Sequence, residues 1–417
     1  MVPVHDICGC ETDRSAALTE PLRVETAAPT ETTRGKVTFL IYSPFPKYSG
    51  GRENWLHNLA PHLINRGHPV RVVSYATNRP PFYSTSQSGI ESVALPTVRY
   101  FDKAFLVFNR LTLGLAWYLD LFVLYPLIAA AYLMWTRPAM LVCMNPMPEG
   151  LAAMLAGVPY VVSVRTDQAL GLSGRYRFLE RPLRWIERQV LGRARKVLAN
   201  GEDTKDRLAG VGIASTVVPN GVDFERFARP AAGDAIGDEL ERRAAGRPVV
   251  AFIATMQAIK GTADAIAVAA ELRKLEPDFV LAMVGKGDPS PFIRRVRDLG
   301  IEQWVEFMGE TSSVPAVLRR CRIFLGLSLE HGMSMSALEA MASGVAIVAR
   351  DVPTYRQLIE KERTGLLGSN PKEIASCCAR LLRETDLARR LGDAAQAAAR
   401  SYDWPRIADA FLAEVAF

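Results

Sequence analysis

The sequence predicts an α/β protein built from two doubly wound, Rossmann-like domains that face each other across a cleft. Two series of short β-branched runs, each separated by segments with apolar residues at helical spacing, carry this prediction. The length of 417 residues is enough for two to three domains of about 150 residues each. A hydrophobic content of 49% lets such domains bury ordinary cores without disulfides or metals.

The first series predicts a parallel α/β domain. It begins with a strand over residues 36–42 and a helix from Arg52, which Gly67 stops before a strand over residues 70–75. The same alternation predicts further strands over residues 139–144, 160–164, 196–199 and 216–218. Residues 1–35 are rich in Thr, Ala, Pro and Glu without an apolar run, so they predict a disordered leader rather than a secretory signal.

The second series predicts a domain of the same kind. Its strands are expected over residues 249–254, 279–284, 305–308, 323–327 and 346–349, with helices such as 263–274 and 291–300 between them. The polar, Gly- and Ala-rich residues 229–246 are the best candidate for a linker. The expected domains are 36–222 and 223–402, followed by a C-terminal helix over 403–417. Ligands of such sheets bind at the carboxyl ends of the strands, which here face the cleft.

The net charge of +6 is local. Residues 175–196 hold eight cations and two anions, so the rest of the chain balances at 42 of each sign. A helix that carries such a basic face fits an anionic membrane surface, since each Lys or Arg near it contributes roughly 1 kcal/mol. A solvated helix face is the alternative, and nucleic acid is not expected because no recognised nucleic-acid motif accompanies the charges.

An apolar stretch over residues 111–135 carries one charge, Asp120. It is long enough to cross a bilayer, but a crossing would separate strands that belong to one sheet. One or two helices, broken near Gly114 or Pro126, are therefore expected in a membrane interface or in the core. The six cysteines form no disulfide framework, which fits a reducing cytoplasm, and no metal site is expected from the five scattered histidines.

The candidate binding residues follow predicted strands. Gly50 and Gly51 precede a helix, where backbone amides can approach an anion closely. Lys260 lies past the strand over 249–254 and can neutralise a diphosphate. Taken alone, a tight turn and a solvated lysine are the alternatives for these two features.

Residues 328–344 carry the strongest signal. A strand runs into a turn with Gly332 and then into a helix that opens near Met335. The backbone amides of residues 334–336 could bind phosphate oxygens, and Glu339, one turn on, could accept two ribose hydroxyls. A simple charge near a helix N-terminus is the alternative for Glu339.

Over residues 36–417 the chain resembles the GT-B-fold retaining glycosyltransferases of family 4 (glycosyl transferases group 1). The matching stretches are Gly50-Gly51-Arg52-Glu53, residues 66–70, residues 218–223, Lys260-Gly261, residues 284–287 and residues 338–344. The resemblance implies a nucleoside diphosphate-sugar donor, retention of the anomeric configuration, no cofactor and no metal. It also implies that Gly51 and Lys260 contact the diphosphate, that Glu339 contacts the ribose, and that the final helix crosses back to the first domain.

Two departures from the family concern the donor. Members usually carry two glutamates eight positions apart, but His331 stands eight before Glu339 and Glu330 nine before it. Either Glu330 moves in through an adjusted turn, or His331 hydrogen-bonds the donor sugar. Thr255 stands where an arginine usually shares the diphosphate charge with Lys260.

A third departure lies after the strand over 160–164. The family often has a histidine there, whereas this chain has Arg165 and Asp167. Arg165 could aid an anionic acceptor or leaving group, or the two residues could form a structural ion pair. The catalytic candidates are thus Glu330, His331, Arg165 and Asp167. The donor-binding candidates are Gly50, Gly51, Thr255, Lys260, Gly332, Ser334, Met335, Ser336 and Glu339.

The expected function is transfer of a sugar from a nucleoside diphosphate-sugar to a lipid-linked or polysaccharide acceptor. The apolar stretch and the basic run would hold the enzyme on the cytoplasmic membrane face as a peripheral protein. The alternative, which the altered glutamate pair and Thr255 motivate, is a protein of the same fold that binds a nucleotide sugar or a partner without turnover.

Overall fold

The computed structural model describes residues 35–43, 45, 51–75, 84–87, 89–97, 115–165, 179–229 and 234–415. Apart from Gly35, the expected leader lies outside these residues.

The first sheet has eight strands in the order β3-β4-β2-β1-β5-β6-β7-β8. All neighbours pair in parallel except the edge strand β3, which is antiparallel to β4. The buried, apolar sequences of β1, β2, β5 and β6 are typical of strands covered on both faces. The strands are β1 Val37–Leu40, β2 Val70–Tyr75, β3 Ser84–Gln87, β4 Ile90–Leu95, β5 Met140–Cys143, β6 Val161–Val164, β7 Lys196–Ala199 and β8 Thr216–Val217.

The second sheet is entirely parallel, in the order β11-β10-β9-β12-β13-β14. In both sheets the chain moves outward from a central strand and then reverses, so the prediction of two doubly wound domains is confirmed. The strands are β9 Val249–Ile253, β10 Val280–Val284, β11 Val305–Gly309, β12 Cys321–Gly326, β13 Ala346–Arg350 and β14 Leu366–Gly368.

Helices cover both sheets. In chain order they are α1 Gly51–Ile64; α2, a continuous helix of Leu115–Leu119, Asp120–Leu124 and Tyr125–Thr136; α3 Leu151–Ala156; α4 Glu180–Arg193; α5 Glu202–Ala209; α6 Phe224–Ala228; α7 Ala235–Ala244; α8 Thr262–Leu275; α9 Ser290–Asp298; α10 Val314–Arg319; α11 Met335–Ala342; α12 Pro353–Arg356; α13 Pro371–Arg383; α14 Thr385–Ala399; and α15 Trp404–Val415.

The long helix α2 corrects the expected break at Pro126. The helix continues through this proline because the preceding turn, Asp120–Leu124, is a π-helix. A wider turn at this point accommodates a residue without an N–H group and with a bulky ring. Gly114, the other expected break, lies outside the described residues.

The expected linker over residues 229–246 is also wrong, because α7 occupies most of it. Asp234 caps this helix by accepting the Ile236 N–H at 3.1 Å, and Leu240 and Ala244 are buried one turn apart. An apolar residue every fourth position suffices for such a helix. The spacing of Leu240 and Ala244 was missed because the surrounding sequence is rich in Gly and Ala.

The final helix, α15, packs in the core of the first domain against α1. Phe411 stacks on Phe39 with ring centroids 5.7 Å apart and meets the Trp55 ring edge-on at the same separation. Residue 221 must be glycine, because a Cβ there would lie 2.4 Å from the Trp404 ring. The last helix therefore completes the hydrophobic layer beneath β1.

Candidate functional site

The candidate site lies where the strand order reverses in each sheet, between β1 and β5 and between β9 and β12. Crevices at the carboxyl ends of such strands are the usual ligand sites of doubly wound folds. In the first domain, α1 begins at Gly51, where a Cβ would meet nothing within 4 Å. Among the described residues, nothing therefore covers the N-terminus of α1 at Gly51.

A buried carboxylate ties the end of β1 to the start of α1. Glu149 is fully buried, and its Oε1 accepts the Tyr42 N–H at 2.8 Å and Arg52 Nη1 at 3.2 Å. Burial raises the pKa of the Glu149 carboxyl, and the Arg52 guanidinium opposes that shift. Sequence reasoning missed Glu149, because its partners lie about 100 residues away.

Lys260 ends a short 3₁₀ turn after β9 and forms an ion pair with Glu330. The next residue, Gly261, has φ +84°, and a Cβ on it would lie 2.4 Å from the Leu327 carbonyl oxygen. Only glycine fits this approach, which sets the lysine beside the end of β12. Thr255 lies past β9 on the same edge, with its Oγ1 3.5 Å from Gln257 Oε1.

The helix α11 begins at Met335, as predicted. Ser334 is its N-cap, and its Oγ accepts the Ala337 N–H at 3.3 Å. Within the described part of the chain, the N–H groups of Met335 and Ser336 donate no hydrogen bond. These free donors and the helix dipole form a ready site for an anion.

Glu339 lies one turn into α11 and is half-buried. No hydrogen bond reaches its carboxylate from the residues that the structure describes. Burial raises the pKa of Glu339 to about 7, against a smaller opposing effect of Arg226. A carboxylate in this state lacks hydrogen-bond donors, which ligand hydroxyls could supply.

The loop before α11 contacts the first domain. Asp203 Oδ2 accepts the Gly332 N–H at 2.8 Å and lies 3.4 Å from His331 Nδ1. Gly332 has φ +97°, and a Cβ there would lie 2.2 Å from Asn200 Nδ2. The position requires glycine because the two domains approach closely here. Asp203 was not predicted as a site residue.

Arg165 is buried, with 7% of the residue exposed, and its access to an acceptor or leaving group stays a prediction. Its guanidinium donates to Ser163 Oγ at 3.1 Å and to Asn220 Oδ1 at 2.7 Å, and lies 3.5 Å from the centre of the Trp55 ring. Burial lowers the pKa of this guanidinium well below its ordinary value. Asn220 in turn donates to the Met333 carbonyl oxygen at 2.6 Å, so Arg165 supports the contact between the domains.

Gly50 and Asp167 lie outside the described residues, so the proposed pairing of Arg165 with Asp167 stays a prediction. Over the described ranges, no three His, Cys, Asp or Glu side chains group as a metal site.

Two family models match the chain. The model described as Glycosyltransferase Family 4 matches residues 49–226, and the model described as Glycosyl transferases group 1 matches residues 247–384. The first match covers every strand of the first sheet except β1, and the second match covers all strands of the second sheet. The residues between the two matches, 227–246, include α7.

Among curated relatives, the chain is 29% identical to a D-inositol 3-phosphate glycosyltransferase of Nocardia farcinica, over 54% of this chain and 53% of the relative. It is 27% identical to an alpha-maltose-1-phosphate synthase of Mycolicibacterium smegmatis, over 63% of this chain and 74% of the relative. The chain thus spans about half the length of the first of these relatives.

Solved structures share the fold. A sucrose-phosphate synthase from Thermosynechococcus elongatus has a TM-score of 0.72 at 16% identity, over 91% of this chain and 97% of that one. Anabaena HepE in complex with UDP-glucose has a TM-score of 0.69 at 18% identity, over 91% and 99% of the two chains.

Proposed function

Since the chain belongs to the family 4, group 1 glycosyltransferases, we propose that it transfers a sugar from a nucleoside diphosphate-sugar to a lipid-linked or polysaccharide acceptor. Transfer would retain the anomeric configuration and need no metal, and the acceptor would be reached at the cytoplasmic face of a membrane. The observation that carries the proposal is the N-terminus of α11, whose first amides have no partner among the described residues. Glu339 lies one turn into this helix, and Lys260 pairs with Glu330 in the loop before it.

Three features of this site support a nucleoside diphosphate. The N–H groups of Met335 and Ser336 are free donors among the described residues, as a phosphate requires. Lys260 supplies a cation at the end of a neighbouring strand. The Glu339 carboxylate accepts no hydrogen bond within the described chain, and a ribose would offer it two hydroxyls.

In this proposal, few side chains take part directly in the reaction. As the bond from the sugar to the diphosphate breaks, negative charge grows on the leaving oxygen, and fixed donors stabilise it because they need no reorganisation. Lys260 and the α11 amides are placed for that charge. The ion pair between Arg52 and Glu149 holds the N-terminus of α1 at the same crevice.

The ion pair between Lys260 and Glu330 must open when a diphosphate binds. Both side chains are partly exposed, at 29% and 45%, so the pair is worth about 1 kcal/mol or less. A diphosphate with two negative charges can displace one carboxylate from the lysine. Glu330 would then act as a counter-ion of the empty site.

Donor consumption tests the proposal. The full chain is incubated with UDP-, GDP- and dTDP-sugars and a membrane lipid extract, and loss of each donor is followed. We expect one donor to be consumed, and Lys260→Met to slow its consumption at least about tenfold, since it removes a charge-assisted contact. Lys274→Met, which removes an exposed lysine on α8, is the matched control. Binding without consumption by the wild type would favour the non-catalytic alternative.

The membrane location is proposed from an apolar face of the first domain. On α2, Leu127, Met134 and Trp135 are 55%, 51% and 81% exposed. Helices α2, α3 and α4 pack side by side, and α4 adds Trp185 at 64% exposure. Exposed apolar residues on neighbouring helices, together with the basic residues of α4, fit a membrane interface.

A crossing of the bilayer by α2 is not proposed. The segment Ala116–Thr136 is long and apolar enough to cross, with a mean hydropathy of 1.6. However, β4 before it and β5 after it lie in one sheet, and 44% of its apolar window is buried inside the protein. The helix therefore supports contact with a membrane through one side only.

The basic run over residues 175–196, which includes α4, contributes fewer free charges than the sequence suggests. Arg184 pairs with Glu180, and Lys196 pairs with Glu414. Arg181 and Arg188 remain on the face of Trp185, four residues before it and three after it. Arg175 and Arg177 lie outside the described residues.

Flotation with liposomes tests the membrane proposal. We expect the full chain to float with vesicles of phosphatidylcholine and phosphatidylglycerol, and less with phosphatidylcholine alone. The double variant Trp135→Ser and Trp185→Ser should lose flotation, because two interfacial anchors are removed. Leu275→Ser, which removes an exposed apolar residue of the second domain, is the control. Equal flotation of the double variant would refute the assignment of this face.

A further inference from the structure

A residue of the first domain holds the loop that carries His331. Asp203 lies in the first turn of α5, with 4% of its side chain exposed. Its Oδ2 accepts the Gly332 N–H and lies 3.4 Å from His331 Nδ1. Its Oδ1 accepts the Thr204 N–H at 2.8 Å. Both oxygens are thus engaged, and the carboxylate cannot rotate without losing a contact.

His331 is oriented and accessible at the same time. Half of its side chain, 51%, is exposed, although Nδ1 faces the buried carboxylate. A neutral imidazole that donates its Nδ1–H to a carboxylate leaves Nε2 as a hydrogen-bond acceptor. The residue stands four positions before the first residue of α11, whose free amides are proposed to hold the diphosphate.

Glu330 is held differently from its neighbour. Its carboxylate pairs with Lys260, and its carbonyl oxygen accepts Thr354 Oγ1 at 2.7 Å. Its backbone is therefore fixed in the second domain and its side chain is directed at the diphosphate lysine. Of the two residues that could replace the usual first glutamate, Glu330 pairs with the diphosphate lysine, whereas Nε2 of His331 has no partner among the described residues.

We propose that Asp203 and His331 form a dyad built across the two domains, in which Asp203 fixes the imidazole so that Nε2 accepts a hydrogen bond from a hydroxyl of the donor sugar. The inference rests on the proposed function. Asp203 is a positioning residue, because it acts on the donor only through His331. Since its two members belong to different domains, the dyad exists only while α5 and the loop before α11 are in contact.

The geometric half of the proposal is tested by NMR without any donor. Long-range ¹H–¹⁵N spectra report which ring nitrogen carries the proton, and His331→Ala identifies the signal among five histidines. At about pH 8, where an ordinary imidazole is neutral, the wild type should show the Nδ1–H tautomer. Asp203→Asn should shift the population toward Nε2–H. The same tautomer in both proteins would overturn the dyad.

The functional half uses UDP-glucose consumption and UDP binding. Asp203→Asn should lower kcat/KM for UDP-glucose about tenfold and change the UDP affinity less than about twofold, because UDP lacks the sugar. Asp206→Asn is the matched control, since it makes the same change at an exposed position of the same helix. A merely structural role would weaken UDP binding together with turnover.

A double-mutant cycle separates the dyad from the contact with Gly332. In a His331→Ala background, Asp203→Asn should lower kcat/KM for UDP-glucose less than about twofold, because only the contact with Gly332 is still lost. If Asp203→Asn lowered kcat/KM equally in the wild type and in His331→Ala, the proposal would be overturned. Normal turnover of Asp203→Asn would overturn it as well. If the wild type consumed no donor of the panel, the proposed function would fail instead, while the tautomer measurement would still decide whether the dyad exists.

Discussion

The pKa of Glu339 makes donor affinity depend on pH in a way that can be calculated. With a pKa of about 7, the carboxyl is about nine-tenths protonated at pH 6 and about nine-tenths ionised at pH 8. Only the ionised form accepts a strong, charge-assisted hydrogen bond on each of its two oxygens from the ribose hydroxyls. The affinity for UDP-glucose should therefore rise about tenfold between these pH values, and Glu339→Gln should remove that dependence.

Isothermal titration calorimetry of the full chain at pH 6, 7 and 8 measures this effect. UDP-glucose is a better probe than UDP, because a terminal phosphate titrates near pH 6. Glu339→Gln retains every other titrating group, so its residual slope is the control. Equal slopes in both proteins would refute the argument that an ionised Glu339 binds the donor.

The same group affects folding in the absence of donor. The pKa of Glu339 is raised in the folded protein, so the folded state binds this proton more tightly than the unfolded state does. The free energy of unfolding is therefore highest below about pH 4.5 and falls as the pH rises through about 7. The loss is about 3 kcal/mol. Urea unfolding of the wild type should show it between pH 5 and pH 8, and Glu339→Gln should not.

Three further predictions follow from packing and charge. Glu330→Gln should tighten UDP-glucose binding up to about fivefold by freeing Lys260, whereas weaker binding would place Glu330 in direct contact with the donor. Gly261→Ala should lower the free energy of unfolding by about 2 kcal/mol more than Gly300→Ala. Both glycines have positive φ, but only residue 261 also meets backbone, so equal losses in denaturant titrations would contradict this. Phe411→Ala should lower the free energy of unfolding by about 3 to 5 kcal/mol, because it removes a fully buried aromatic ring. An unchanged unfolding midpoint would show that α15 is not part of that core.

The sequence predicted the central strands of both sheets because their apolar, β-branched runs need no knowledge of their neighbours. Three strands were missed: β3, β4 and β14. β4 alternates between buried and partly exposed positions, and β14 has three residues, so neither forms a continuous apolar run. Edge strands depend on the sheet beside them for their pairing, which composition does not record.

The candidate site was predicted where the residue types themselves carry the chemistry. The N-cap Ser334 and the helix that begins at Met335 follow from local signals. The roles of Glu149 and Asp203 do not, because the residues that they contact lie more than 90 positions away. Arg165 was identified as important from its position, but its burial depends on Trp55 and Asn220, which no local pattern connects to it.

The packing of α15 has a consequence for the order of synthesis. The first strand, β1, emerges from the ribosome early, but the aromatic residue that covers Phe39 and Trp55 is Phe411. Domains usually fold in the order in which they are made. Here the first domain cannot close its core until nearly all of the second domain has been synthesised. A nascent chain that stops before residue 404 would leave the crevice wall at α1 without its hydrophobic support.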